Sequence, residues 1–270
     1  MTLTDSRFAG SVPALYERCL VPLIFQPYAD DMARRVLARR PLRILEIAAG
    51  TGVVTRAMAA ALGTATRIVA TDLNQAMIDE AVARGGLPSI EWKQADAMSL
   101  PFPDASFDAV VCQFGVMFFP DRAAAYAETQ RVLEPGGVFF FNAWDRIEDN
   151  EFADAVNGAL KAHYPKDPPL FLERAPYGYY DVPTIRADLV KGGFAKNNRI
   201  DTVAARSVAD SAHVPAMGFC QGSPLRMEIE ARDAAGLEQA TDVAMKAIEQ
   251  RFGTGIVDAK IQAHVVSVEA

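Results

Sequence analysis

Between Arg43 and Ala143 short apolar, β-branched runs alternate with amphipathic stretches, the pattern of a parallel sheet whose strands are joined by helices. The first run, Arg43–Ile47, leads through a glycine-rich turn into a helix over Val53–Leu62. The second, Arg67–Thr71, leads to a helix that starts after Asn74, a good N-cap, and carries Met77, Ile78, Ala81 and Val82 at helical spacing. A third, short run covers Ile90–Trp92, and the fourth, Phe107–Cys112, is continuous enough to be buried on both faces. A helix over Arg122–Leu133 is expected to stop at Glu134-Pro-Gly-Gly137, because proline and glycine do not continue a helix. The fifth run, Val138–Asn142, holds three consecutive Phe and reads as a central strand.

Beyond Trp144 the pattern loosens. A helix is expected over Glu151–Ala162, a loop rich in proline and aromatics over Tyr164–Asp181, and a helix over Thr184–Lys191. A sixth strand fits Asn198–Ala204 and a seventh Ile261–Val268; between them the uncharged segment Val214–Leu225 precedes a polar helix over Asp233–Arg251. Ahead of the sheet, Leu15–Ala38 predicts one or two helices interrupted at Pro22 and Pro27. The fold expected is α/β: a seven-stranded, mostly parallel sheet with helices on both faces. Residues 1–42 would form an N-terminal helical cap, 43–145 the core, 146–205 its continuation with the aromatic loop, 206–258 an insertion, and 259–270 the last strand.

Composition narrows the function. The 270 residues carry 27 Lys+Arg against 34 Asp+Glu, a net charge of −7, which argues against nucleic acid as a partner because phosphate binding needs clustered positive charge. The longest apolar segment, Phe107–Phe119, is too short to span a membrane. Glu17 and Arg18 break any leader-like stretch, so a cytoplasmic location is expected. The 3 Cys (Cys19, Cys112, Cys220) and 3 His (His163, His213, His264) are widely scattered, so neither a disulfide framework nor a metal site is expected.

The informative segment is Ile44–Thr55, ILEIAAGTGVVT. A glycine turn between a buried strand and a helix lets backbone approach a ligand, and the helix start offers unpaired N–H groups. The dinucleotide fingerprint GxGxxG fits poorly, since Thr55 stands where its third glycine belongs. Glu46, at the strand end, would oppose a pyrophosphate but suits a cofactor bearing an ammonium and a sulfonium. Asp72, at the end of the second strand, is placed to take both ribose hydroxyls with its two oxygens. Asp96, after the third strand, could accept from the exocyclic amine of adenine.

This arrangement resembles motif I of the class I S-adenosylmethionine methyltransferases. The block Ala95–Phe141 is similar to the ubiquinone/menaquinone-biosynthesis type in its DAxxLPFxDxSFDxV and RVLxPGG elements. The resemblance implies a Rossmann-like fold, S-adenosyl-L-methionine as methyl donor and S-adenosyl-L-homocysteine as product. It implies that Ala48, Gly50 and Gly52 face the methionine part and ribose, and that Asp72 binds the ribose with Leu73 and Met77 on adenine. Asp96, Ala97 and Met98 would surround the adenine edge, Gln113 would offer its carbonyl to the ammonium, and Tyr16 would close over the methionine tail. Ala48 departs from the family's usual first glycine, a change tolerable where φ is negative.

Methyl transfer is an in-line displacement whose rate can come largely from orientation, so no catalytic side chain is required. His163, His213 and Asp145 are the candidates should a general base or a substrate contact be used. Met117, Phe118, Tyr177 and Tyr180 could line an apolar substrate pocket, with core packing the alternative. Gln221 and Arg226 fall in the 206–258 insertion, which fits either a lid over the site or a homodimer contact. Asp104 and Asp108 read as turn and strand-entry residues, and Glu128 and Arg131 as a solvated helix face. The function expected is methyl transfer to an O, N or C nucleophile of a small apolar or aromatic metabolite. The alternatives are a non-methyl reaction on the same cofactor, a regulatory protein without turnover, and an NAD dehydrogenase.

Overall fold

The computed structural model describes residues 8, 10–85, 90–194 and 198–270. Its sheet has seven strands, β1 (Arg43–Glu46), β2 (Arg67–Asp72), β3 (Ile90–Gln94), β4 (Phe107–Gln113), β5 (Leu133–Trp144), β6 (Arg199–Ala209) and β7 (Val257–Glu269), in the order β3-β2-β1-β4-β5-β7-β6. The β1–β2, β1–β4, β2–β3 and β4–β5 pairs are all parallel. The order reverses between β1 and β4, and in open α/β sheets ligands bind at the carboxyl ends of the strands at such a switch point.

Helices precede and join these strands: α1 (Val12–Leu15), α2 (Gln26–Arg39), α3 (Val53–Leu62), α4 (Gln75–Ala83), α5 (Arg122–Val132) and α6 (Glu151–His163). They are followed by α7 (Phe171–Arg174), α8 (Val182–Lys191), α9 (His213–Gln221), α10 (Leu225–Arg232) and α11 (Leu237–Phe252). The aromatic loop is thus interrupted by α7, and the uncharged segment is the largely buried helix α9.

The expected break at Pro22 and Pro27 does not occur. Tyr16–Phe25 is a π-helix with Pro22 inside it, joining α1 to α2. In an α-helix the proline ring would crowd the carbonyl four residues back; the wider i→i−5 turn, seen where the Gln26 N–H bonds the Val21 carbonyl, gives it room. Pro27 is the second residue of α2, where a missing N–H goes unnoticed.

The Pro-Gly-Gly stop also has a different form. Helix α5 ends at Val132 and β5 starts at Leu133, so Glu134–Gly137 are an irregularity within the strand. Phe107 pairs with Leu133 and Ala109 with Val138, leaving extra residues on the β5 side. Gly136 takes a positive φ of 81°. A Cβ on Gly137 would lie 2.9 Å from the Glu134 carbonyl oxygen and 3.2 Å from that of Asp108. Asp108 itself accepts from the Leu42 and Arg43 backbone N–H groups at 2.8 and 3.0 Å, fixing the entry of β1.

The chain divides into two compact units. One contains residues up to Pro27 with Trp144–Gly178 and Ala204–Ala263. Within it α11 packs on α6 and α9, and α9 packs on the π-helix. Gly218 of α9 permits that approach, since a Cβ there would meet Leu20 at 2.8 Å. The other unit contains Tyr28–Ala143, Tyr179–Val203 and His264–Ala270. Its core lies between β4, β5 and α5, where Phe139 and Phe141 pack 4.9 Å apart and Tyr126 stacks on Phe141 at 5.6 Å.

Candidate cofactor site

The turn after β1 is held from both sides. The Ile47 N–H donates to Val111 of β4, and the Ala49 N–H to Thr71 of β2, each at 2.8 Å. Three of its residues take positive φ: Ala48 at 54°, Gly50 at 57° and Gly52 at 83°. Gly52 precedes α3, and a Cβ there would lie 2.5 Å from the Trp92 ring, so only glycine fits beneath that indole. Ala48 does not meet the condition of negative φ under which alanine is easily tolerated there. The alanine sits in the left-handed region, and its methyl is accommodated by the facing loop, where a Cβ on Gly115 would come within 2.5 Å of it.

Two acids flank this turn, both buried. Glu46 Oε2 accepts from the Thr55 hydroxyl at 2.5 Å. Burial pushes its carboxyl up to about 8; the Thr55 hydrogen bond and Arg56 pull it down, and Asp72 adds to the rise. Asp72 Oδ2 accepts from the Gly50 N–H at 2.8 Å, and Oδ1 from the Asn74 N–H at 2.8 Å. Burial raises this carboxyl above the ordinary range as well, while those N–H groups oppose the rise. Oδ2 keeps a further lone pair for a ligand hydroxyl, while Oδ1 also receives the Asn74 side-chain amide at 3.4 Å.

Strand register extends the polar row. Glu46 pairs with Ala70 and Val111, and Gln113 pairs with Asn142. Because alternate residues share a face, Asp72, Glu46, Gln113 and Asn142 all lie on one face, at the carboxyl ends of β2, β1, β4 and β5. Asn142 is absent from the expected residues of the site; its one sequence signal is an amide within the otherwise apolar run Val138–Trp144.

After β3, Asp96 is exposed and caps its own turn, accepting from the Met98 N–H at 2.9 Å. Ala97 is buried, Met98 half-buried, Leu73 half-exposed and Met77 buried in α4. The following loop is held by Arg131, which donates to the Leu100 and Phe102 carbonyls at 3.0 and 2.8 Å and to Asp104 at 2.8 Å. Glu128 braces the same guanidinium and accepts from the Leu100 N–H at 2.8 Å. These two are therefore not an idle solvated face: they tie α5 to the loop. Met117 is buried, with its carbonyl bonded by Arg122, while Phe118 is half-buried and Tyr180 exposed.

The remaining expected site residues belong to the other unit, where contacts within that unit engage most of them. Tyr16 stacks on Phe25 at 4.9 Å and Tyr177 lies 5.9 Å from Trp144. Asp145 accepts from the Gln262 side chain at 2.7 Å. Gln221 donates to Thr241 at 3.0 Å, and Arg226 donates to Ser11 and Glu230 at 2.8 and 2.7 Å. His163 packs edge-on against Tyr164 at 4.6 Å, and His213 is exposed at the start of α9. Among the described residues no cluster of His, Cys, Asp and Glu is arranged to hold a metal ion, and no helix is long and apolar enough to cross a membrane.

The glycine turn, the two acids and the Asp96–Gly137 block all fall in or beside one stretch of sequence, and residues 45–141 match the family described as methyltransferase domain. Outside the family description, the chain is 36% identical over 126 residues to the ubiquinone/menaquinone biosynthesis C-methyltransferase UbiE of Teredinibacter turnerae, covering 45% of this chain and 47% of that protein. It is 41% identical over 134 residues to a demethylmenaquinone methyltransferase of Deinococcus radiodurans, covering 48% and 55%. The matched part is thus about half the length of the curated relatives. The crystal structure of the Bacillus subtilis YcgJ protein shares the fold with a TM-score of 0.56 at 18% identity, over 90% of this chain and 98% of that one. The matched segment begins within β1 and ends within β5, so it contains Glu46, Asp72 and Gln113 and stops one residue short of Asn142.

Proposed function

We propose that this chain is an S-adenosyl-L-methionine-dependent methyltransferase acting on a small apolar or aromatic metabolite. The observation that carries the reading is the buried acid pair Glu46 and Asp72, set at adjoining strand ends around a turn with three left-handed residues. Two buried carboxyls with raised affinity for protons are a poor place for a pyrophosphate and a good one for a cation bearing ribose hydroxyls. In the proposed site Asp72 accepts from the ribose hydroxyls, and Glu46 sits behind the glycine turn that faces the methionine part. Leu73, Ala97 and Met98 border the adenine, whose amine Asp96 accepts, and the Gln113 carbonyl receives the ammonium.

When bound, the donor would supply an activated methyl group on a sulfonium, open to in-line displacement by the acceptor. The protein's part is to hold and orient, and a rigid, backbone-braced Asp72 suits that role. The three cysteines are free and buried, in keeping with a reducing, cytoplasmic location.

Calorimetry with S-adenosylmethionine, S-adenosylhomocysteine and NAD tests the cofactor. The expected result is binding of the first two; binding of NAD alone overturns the reading. Incubation with methyl-labelled donor and a metabolite panel then separates transfer from binding without turnover.

A further inference from the structure

The loop after β4 is strained and braced. Phe114 holds φ at 53°, a left-handed conformation that a bulky residue keeps only where its surroundings impose it. The Ile47 N–H donates to the Val111 carbonyl at 2.8 Å, so the Gln113 carbonyl, two residues further along β4, also points to the β1 side. The Phe114 N–H, in the same trans peptide, points the opposite way and donates to the Asn142 carbonyl of β5 at 3.2 Å. How Phe114–Phe118 is held therefore decides where the Gln113 carbonyl aims. The loop meets the glycine turn where Gly115 faces Ala48, and Arg122 donates to its Val116 and Met117 carbonyls at 3.2 and 3.1 Å. Arg122 is the first residue of α5, a place where the helix macrodipole disfavours a cation. Its guanidinium lies 4.0 Å from the centre of the Tyr179 ring. Tyr179 is itself buried, its hydroxyl 3.3 Å from that of Tyr126 and donating to Asp188 at 3.2 Å.

We propose that Arg122, clamped by Tyr179, is a positioning residue for the amino-acid end of the donor: it fixes Phe114–Phe118 and through that loop aims the Gln113 backbone carbonyl at the ammonium. This rests on the methyltransferase reading. A guanidinium suits the task because its planar fork reaches two carbonyls while its flat face stacks on an aromatic ring, which a lysine ammonium does not match. Asp121 caps α5 by accepting from the Ala124 N–H at 3.0 Å, so the arginine stands on a fixed helix start. The effect is selective. Asp72, which takes the ribose in that reading, is on β2, and β1 separates β2 from β4, so loss of the Arg122 brace falls on the ammonium contact and spares the nucleoside.

The test compares native protein with Arg122→Met, Tyr179→Leu and Tyr179→Phe by thermal unfolding and by calorimetry with two ligands. One is S-adenosylhomocysteine; the other is 5′-methylthioadenosine, which keeps the nucleoside and the thioether but has no amino-acid end. Arg122→Met and Tyr179→Leu are expected to bind S-adenosylhomocysteine about five- to tenfold more weakly than native, as one misaimed hydrogen bond implies, and 5′-methylthioadenosine within about twofold of native. Tyr179→Phe keeps the ring under the guanidinium and loses both hydroxyl bonds, so it should melt at a lower temperature and still bind S-adenosylhomocysteine within about twofold. A merely structural role would make affinity follow the melting temperature, or fall equally for the two ligands; either result overturns the proposal. So does native affinity for S-adenosylhomocysteine in Arg122→Met or, should that variant not fold, in Tyr179→Leu. Native protein that binds neither S-adenosylmethionine nor S-adenosylhomocysteine defeats the methyltransferase reading itself, a separate result.

Discussion

The methyl of Ala48 and the missing side chain of Gly115 are complementary. A Cβ placed on Gly115 would lie 2.5 Å from Ala48 Cβ and 2.7 Å from Cys112 Sγ, so the second loop is bare where the first carries an extra carbon. Glycine turns of this kind normally avoid Cβ because positive φ is strained for other residues; here Ala48 holds φ at 54° with the opposite wall cut back to receive it.

The pair should therefore behave as a unit in a double-mutant cycle. Gly115→Ala is expected to destabilise by about 1–3 kcal/mol through overpacking. Ala48→Gly alone should stay within about 1 kcal/mol of native, since relief of the left-handed φ offsets the lost methyl. The double variant should recover at least half of the Gly115→Ala loss, a coupling of the size measured for residues in contact. Urea unfolding checks this, and strictly additive effects would show that the two residues do not share the space.

Glu46 makes both stability and cofactor affinity depend on pH. Its folded-state value of about 8 lies above the ordinary 4.5, so its contribution to stability is fully present below about pH 4.5 and is lost as pH rises towards 8, by at most about 1.4 kcal/mol per unit. Glu46→Gln should flatten that decline in thermal melts of the free protein. In the proposed site a cationic donor favours the carboxylate, so S-adenosylmethionine affinity should climb between pH 6 and 8, and less so for neutral-sulfur S-adenosylhomocysteine. Calorimetry at several pH values reads both slopes; equal slopes in native and Glu46→Gln protein contradict the assignment.

How much of this was readable beforehand follows from where the determining contacts lie. Strands β1, β2, β3 and β4, and helices α3 and α4, follow from local periodicity and the Asn74 cap, because each is decided by neighbours within a few residues. The positions of Glu46 and Asp72 at strand ends came with them. The continuous N-terminal helix did not, since the π-helix around Pro22 depends on buried packing by Leu20, Leu23 and Ile24 that proline rules ignore. Nor did the sign of φ at Ala48, whose methyl has room only because Gly115, 67 residues away in sequence, carries no side chain. Arg131 was misread for the same reason: its partners Leu100, Phe102 and Asp104 lie on another segment. Asn142 gives no periodic signal, and only strand register brings it beside Gln113.

Arg131→Ala should loosen the Ser99–Asp104 loop. The guanidinium donates to two backbone carbonyls and two carboxylates, and hydrogen bonds to charged groups contribute about 1.5–3 kcal/mol. A loss of about 2–3 kcal/mol is expected, with faster hydrogen exchange confined to Asp96–Asp104. Arg131 also holds the Glu128 carboxyl below its ordinary value, with the Leu100 N–H contributing. That stabilisation is present above about pH 4.5 and disappears as pH falls through the lowered value, so the native and Arg131→Ala melting curves should converge in acid.

Asp72 offers the most direct test of the cofactor site, provided its two tasks are separated. Its oxygens brace the Gly50 and Asn74 N–H groups, so Asp72→Ala removes the ligand's acceptor and also frees the turn. Asp72→Asn is nearly isosteric and keeps one acceptor oxygen, but brings an NH2 against a backbone N–H or a ribose hydroxyl. If Asp72 takes both ribose hydroxyls, Asp72→Ala should weaken S-adenosylhomocysteine binding by about 100-fold, the effect of losing two hydrogen bonds of about 1–1.5 kcal/mol each, and Asp72→Asn by about tenfold, the effect of losing one. Replacing the ribose with a 2′,3′-dideoxy analogue supplies the cross-check: native protein should lose about the same factor, and Asp72→Ala almost nothing further. A full additional loss in the Asp72→Ala protein would mean that the hydroxyls are held by another group.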